Sequence, residues 1–131
     1  MCLYSTPEAI AKFRKNKRGR TAICYKVLEV VPGSGLFGPY RDLQYHAGWN
    51  KSNSKRRFAA RYDTVIRNGI HVCITEHGAA NMIDGLSWRT GFYKIVKVIC
   101  YMDDLLGVED VNEAVFKKVY LSKREYEKAM S

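Results

Sequence analysis

His71 and Cys73 stand two residues apart, with Glu76 and His77 close behind. In an extended segment residues i and i+2 point the same way. An imidazole and a thiol would then share a face, with a carboxylate and a second imidazole just beyond. Such a set suits a metal site or a nucleophile–base pair, and a helix starting near residue 75 would lower a nearby thiol pKa. Neither chemistry has its usual spacing here. Cys2, Cys24, Cys73 and Cys100 form no Cys-x-x-Cys pair, and His46 would have to join from afar. His71 is therefore expected in a structural role and Cys73 in the core, with no metal and no cofactor.

Basic residues form a second candidate. Residues 1–70 carry 14 Lys and Arg against 4 Asp and Glu, whereas residues 71–131 carry 8 against 9. One cluster is Lys12, Arg14, Lys15, Lys17, Arg18 and Arg20; the other is Lys51, Lys55, Arg56, Arg57 and Arg61. Clustered like charge attracts polyanions. Tyr40, Tyr45 and Trp49 precede the second cluster, and Phe58 and Tyr62 adjoin it. Aromatics beside cations can stack single-stranded bases. The same pattern fits an acidic protein surface, or a mere solvated face. No helix-turn-helix, zinc-finger or RNA-recognition signature points to sequence readout.

Two further patterns carry less. Asp103, Asp104 and Asp110 lack the spacing of a calcium loop and read as a solvated stretch. Gly33-Ser34-Gly35 with Gly38 lacks a phosphate-loop motif and reads as a turn.

The elements that must position these residues follow from period and caps. Thr6, Pro7 and Glu8 open a helix over 5–18, with Ile10 and Phe13 as its apolar stripe and Gly19 as its stop. Residues 21–31 read as a strand apolar on both faces, interrupted by Lys26. A short strand-like segment follows at 43–47, then a polar, mobile basic excursion at 48–61. Residues 69–74 read as a strand leading through Thr75 into a helix that ends near Leu86. Residues 92–101 give the strongest strand signal and 114–121 a final strand. Ser122 and Glu125 form a capping box for a helix over 123–130. Elements in this order predict an α+β fold. One compact domain, 1–131, would hold a mainly antiparallel sheet of four to five strands with two to three helices.

The composition, with 47% hydrophobic and 27% charged residues and sixteen aromatics, is that of a globular domain. No apolar run approaches a membrane span. The basic N-terminus without an apolar core, and cysteines without pairing, predict a reducing cytoplasm and no membrane.

Met1-Cys2-Leu3-Tyr4, Cys24-Tyr25-Lys26-Val27, Pro39-Tyr40 and Gly69-Ile70-His71 followed by Ala79 and Ala80 resemble a loose group of small bacteriophage proteins. That group opens Met-Cys-Leu/Ile-Tyr and carries a Cys-Tyr-Lys-Val strand and a later Gly-x-His strand. This chain differs at Cys73, where the group often has an aromatic, and in its basic insert at 51–57. The resemblance implies a phage or mobile-element accessory protein in the bacterial host cytoplasm, with no particular activity.

The expected function is binding rather than catalysis. A basic surface would occlude an anionic partner, either nucleic acid or an acidic groove of a host defence or transcription protein, in the manner of an inhibitor. Lys15, Lys17, Arg18, Arg20, Lys55, Arg56, Arg57 and Arg61 would supply attraction. Trp49, Phe58 and Tyr62 would supply contact area. The alternative is a nucleotide-ligand pocket or enzyme built on Tyr25, His71, Glu76 and His77. At most it would resemble an ADP-ribosyltransferase site, but the Arg, Ser-Thr-Ser and Glu-x-Glu motifs of that family are absent. Charge reversal at both Arg56 and Arg57 should strongly weaken binding to the anionic partner and leave thermal unfolding unchanged. Unaltered affinity would remove the second cluster from the site.

Overall fold

The computed structural model describes residues 3–16, 20–39, 43–52, 64–66, 69–109 and 113–131. The chain runs β1 (Leu3–Ser5), α1 (Pro7–Asn16), β2 (Thr21–Val31), β3 (Gly35–Phe37), β4 (Gln44–Tyr45), β5 (Gly48–Lys51) and β6 (Thr64–Ile66). It continues through β7 (Ile70–Cys73), α2 (Glu76–Gly85), β8 (Phe92–Tyr101), a 3-10 turn (Met102–Asp104), β9 (Leu105–Glu109), β10 (Glu113–Phe116), β11 (Lys118–Leu121) and α3 (Lys123–Met130). The fold is α+β, with antiparallel pairing throughout.

The main sheet has nine strands in the order β5-β11-β8-β2-β7-β10-β9, with β3 and β4 attached beside β2; β1 and β6 form a separate pair. This corrects the expected four to five strands. The additional strands are two to five residues long, too short for a period-2 signal to stand out. Gly48–Lys51 is strand β5, although its residues read as the start of a polar excursion. Leu105–Glu109 is strand β9, although it falls in the acidic stretch. The segment 114–121 is two strands, broken at Lys117.

That break gives the sheet its curvature. On one side of the break β11 pairs with β8 at Tyr120↔Ile99, and on the other β10 pairs with β9 from Phe116↔Leu105 to Glu113↔Glu109. At the bend, Lys117 N–H donates to the Asp104 carbonyl at 2.9 Å. One side pairs through β8 with β2, the other through β10 with β7, and β2 meets β7 at Tyr25↔Cys73. The sheet therefore coils back on itself. Its inner face encloses Cys24, Leu28, Val72, Val98, Phe116 and Leu121. Helix α1 closes this core with Ala9 and Phe13, the Phe13 ring meeting Phe116 edge-on at 6.4 Å.

Strand β2 is apolar on both faces because it has cover on both. Ala22, Cys24 and Leu28 point inward, while Val27 packs outward with Cys73 against Ala79 and Leu86 beside α2. Lys26 interrupts the inner face for a reason the sequence does not carry. β2 and β7 share one residue pair and then diverge, and Lys26 Nζ donates to the His71 carbonyl at 2.7 Å. The amine fills a donor position beside the ladder, and the buried stem packs with its apolar neighbours.

The expected caps are present. Thr6 Oγ1 accepts from Ala9 N–H at 3.2 Å, Thr75 Oγ1 from Gly78 N–H at 3.0 Å, and Ser122 Oγ from Glu125 N–H at 3.1 Å. The three described cysteines, Cys24, Cys73 and Cys100, are buried free thiols.

Gly69, which leads into β7, has φ +117°, and a Cβ there would lie 2.5 Å from Val115 Cγ1 and 3.0 Å from Leu106 Cδ1. Backbone strain at such a φ costs about 1–3 kcal/mol for a residue with a Cβ, and the contact adds to it. Gly69→Ala should therefore lower stability in chemical denaturation by roughly 2 kcal/mol or more. A neutral result would mean that β7 enters the sheet by another path.

Candidate functional site

Among the described elements, α2 covers the outer face of the sheet over half of its length and leaves the other half bare. Under α2 lie Val27, Cys73, Tyr25, Tyr93 and Ile95. Beyond it the register sets a row across four strands: Ile23 opposite Ile99, Ile99 opposite Tyr120, and Tyr120 opposite Trp49. Ile23 is 56% exposed, Trp49 43%, Tyr101 40% and Ile99 39%. Isolated exposed hydrophobics are ordinary, but a contiguous patch marks a contact surface.

The aromatics on this patch are ordered against each other. Trp49 and Tyr101 stack with centroids 5.2 Å apart and planes 27° off parallel, and Tyr120 meets Trp49 edge-on at 5.4 Å. Aromatic pairs favour these geometries. Lys118 Nζ lies 4.8 Å from the Trp49 ring centroid, a cation–π contact. Asn50 anchors the strand from beneath: its side chain is buried, accepts from His46 N–H at 2.9 Å and donates to the His46 carbonyl at 2.8 Å.

Charge on this face has one sign. The outer positions around the row are Thr21, Ile23 and Tyr25 on β2; Lys97, Ile99 and Tyr101 on β8; Lys118 and Tyr120 on β11; Trp49 and Lys51 on β5. Three are lysines and none is acidic. Lys51 lies directly opposite Lys118. Arg20, exposed at the start of β2, is fixed beside Tyr101 by a hydrogen bond from Met102 N–H to its carbonyl at 2.7 Å.

Of the residues expected to bind, the structure brings Trp49 to this face, while Arg20 is exposed at the start of β2 with its backbone beside Tyr101. Lys15 is exposed on α1, which packs against β9 at the far edge of the sheet order. Lys17, Arg18, Lys55, Arg56, Arg57, Phe58, Arg61 and Tyr62 lie outside the described residues. The sequence reading missed Ile23, Lys97, Ile99, Tyr101, Lys118 and Tyr120. The alternation of β8 holds the only signal, Lys97-x-Ile99-x-Tyr101. Which face stays bare depends on where α2 ends.

The alternative pocket residues are distributed differently. Tyr25 packs in the α2 core opposite Cys73, His71 is half-buried on β7, and Glu76 and His77 are exposed at the start of α2. Cys73 is buried in the core, as expected, and lacks the lowered pKa that the alternative site would need. Burial, followed by the charge of Glu113, pushes the Cys73 thiol up to about 11, against the opposing pull of Lys26. Such a thiol is not a nucleophile at neutral pH. Among the described residues no cluster of His, Cys, Asp and Glu is arranged to hold a metal.

A cleft of about 430 Å³ lies at the opposite end of β2, lined by residues including Glu29, Val30, Pro32, Gly91 and Phe92. Phe92 and nearby Trp88 are strongly exposed. Glu29 is the one charged residue among its described lining residues. No helix of the described residues is long and apolar enough to cross a membrane. No protein family, curated protein or solved structure matches this chain.

Glu113 faces Glu109 directly across the β9–β10 ladder. Burial, then the charge of Glu109, holds the Glu113 carboxyl above its ordinary value of 4.5, with Lys26 opposing. The folded chain thus keeps this proton more tightly than the unfolded chain. Stability falls as pH rises from 4.5 through the raised value, and the loss is complete above it. Glu113→Gln should raise Tm at pH 7 and leave it nearly unchanged at pH 3.5. Equal Tm at both pH values would show that the carboxylate pair carries no strain.

Proposed function

We propose that this protein binds nucleic acid on the bare end of its sheet, without sequence readout, and acts by covering what it binds. The observation that carries this reading is the Ile23–Ile99–Tyr120–Trp49 row with Tyr101 stacked beside it, with lysines and no carboxylate at the described outer strand positions around it. Apolar contact area and a single charge sign on one surface match a ligand that is both polyanionic and aromatic. Lys51, Lys97 and Lys118 neutralise phosphates and release their counterions. The rings give area at little entropic cost, since each has two side-chain torsions to fix.

The two basic runs of the sequence join this face covalently. The first ends at Arg20, where β2 begins, and the second starts at Lys51, where β5 ends. A protein of this kind in a phage or other mobile element would sequester or shield a nucleic acid, or compete with a host protein for one. An acidic groove of a host protein is the competing partner, recognised by the same cations.

Affinity purification with and without nuclease separates the two partners. The proposal expects a nucleic-acid partner lost on nuclease treatment. It also expects binding to defined DNA or RNA whose log K falls with log salt at a slope of about −2, from roughly three phosphate contacts at −0.7 each. A stoichiometric acidic protein that survives nuclease, with salt-insensitive binding to DNA and RNA, would contradict it.

A further inference from the structure

We infer that the bare sheet face selects single-stranded nucleic acid, with bases laid on the Trp49–Tyr101 aromatic surface and phosphates held between Lys51 and Lys118. This rests on the nucleic-acid reading above and specifies the class of strand.

Two observations carry it. The first is the Lys51–Lys118 pair. Like charges directly opposite on neighbouring strands destabilise a sheet, and here the pair adjoins the aromatic row on the same outer face. An anion placed between the two amines turns that repulsion into attraction. Lys118 is held over the Trp49 ring at 4.8 Å, so an anion bound there lies beside the indole rather than out in solvent. A phosphate with its base on the ring fits both contacts; a free phosphate fits one.

The second is the row itself. In a duplex each base face is covered by its neighbours, and the outward surface is sugar and charged phosphate. A duplex laid on Ile23, Ile99, Tyr120 and Trp49 would press phosphates against apolar side chains. An unpaired strand offers base faces to the rings and methyl groups, and any base will serve because every base has a π-face. The row crosses four strands, ~14 Å at ~4.8 Å per strand, enough for about two or three splayed bases.

The face also has little means to tell bases apart. Reading a base edge relies on bidentate donors and acceptors such as Asn, Gln or Arg. Among the described residues the outer positions of the row carry no Asn, Gln or Arg, and the Asn50 amide is spent on His46 and Gly48. Preference among the four bases should follow stacking strength, with guanine the one base whose edge the lysines would favour.

The test uses the full chain and three fluorescently labelled probes of equal length: an oligothymidine, the same backbone with abasic sites throughout, and a duplex. The oligothymidine should bind about tenfold or more tighter than either of the others, as expected for two stacked bases. Trp49→Leu and Tyr101→Leu should each remove about tenfold of that affinity and leave abasic binding unchanged. Thermal melting of each variant separates loss of contact from loss of fold. Should Trp49→Leu unfold, Trp88→Phe leaves Trp49 as the sole tryptophan. Its emission should then be quenched by oligothymidine and not by the abasic strand. Equal affinity for all three probes, or no quenching at saturation, overturns the single-strand assignment while leaving nucleic-acid binding in place. Failure of all three probes to bind overturns the parent reading as well.

Discussion

The antiparallel ladder between β2 and β8 is the constraint on which the other elements depend. Ten consecutive pairs, from Thr21↔Tyr101 to Val30↔Phe92, fix two long strands side by side. Every other strand of the main sheet is shorter, and most find their place by joining this pair directly or through one neighbour. Because the ladder is long, one element cannot cover either of its faces. The coiled sheet shuts the inner face together with α1 and with α3, which packs on β8 through Ala129 and Tyr126. The outer face has only α2, whose ten residues span ~15 Å against ~35 Å for the eleven residues of β2. The uncovered remainder is where Ile23, Ile99 and Tyr101 stand exposed.

A bare apolar sheet end invites aggregation. Here the residues around it temper that tendency. Lys51 lies on the edge strand β5, Lys97 and Lys118 lie within the face, and Trp49 is stacked on Tyr101 instead of projecting freely. Cations among aromatics set like charge between two copies of the face, and under the proposed function the same side chains would draw in a polyanion. The half of the outer face under α2 has the opposite character. It holds a thiol with a raised pKa and a tyrosine in apolar contact, the chemistry of a core rather than of a reaction site.

The sequence disclosed what local periodicity encodes. Strands 21–31 and 92–101 were legible at their full lengths because eight or more residues alternate or run apolar. The three helices were legible from Thr6, Thr75 and Ser122, whose side chains cap the helices they precede. The charge asymmetry pointed to an anionic partner, and Trp49 was picked out beside a basic run. The short strands carried no period, and the bend at Lys117 split what reads as one strand. The face itself is a property of register. Ile23, Ile99, Tyr120 and Trp49 come from four segments spread over about a hundred residues, and no local pattern in any one of them indicates that they form a row. Lys26 is the same case in the core: an interruption in sequence, a donor to His71 in space.

The most direct test of this account is amide and side-chain NMR mapping of the intact protein as an oligonucleotide is added. The account predicts that shift changes concentrate at Ile23, Trp49, Lys97, Ile99, Tyr101, Lys118 and Tyr120, with Tyr25 and the Phe92 cleft unaffected. Changes confined to His71, Glu76 and His77, or to Trp88 and Phe92, would contradict it and move the site to the pocket beside α2 or to the opposite end of the ladder.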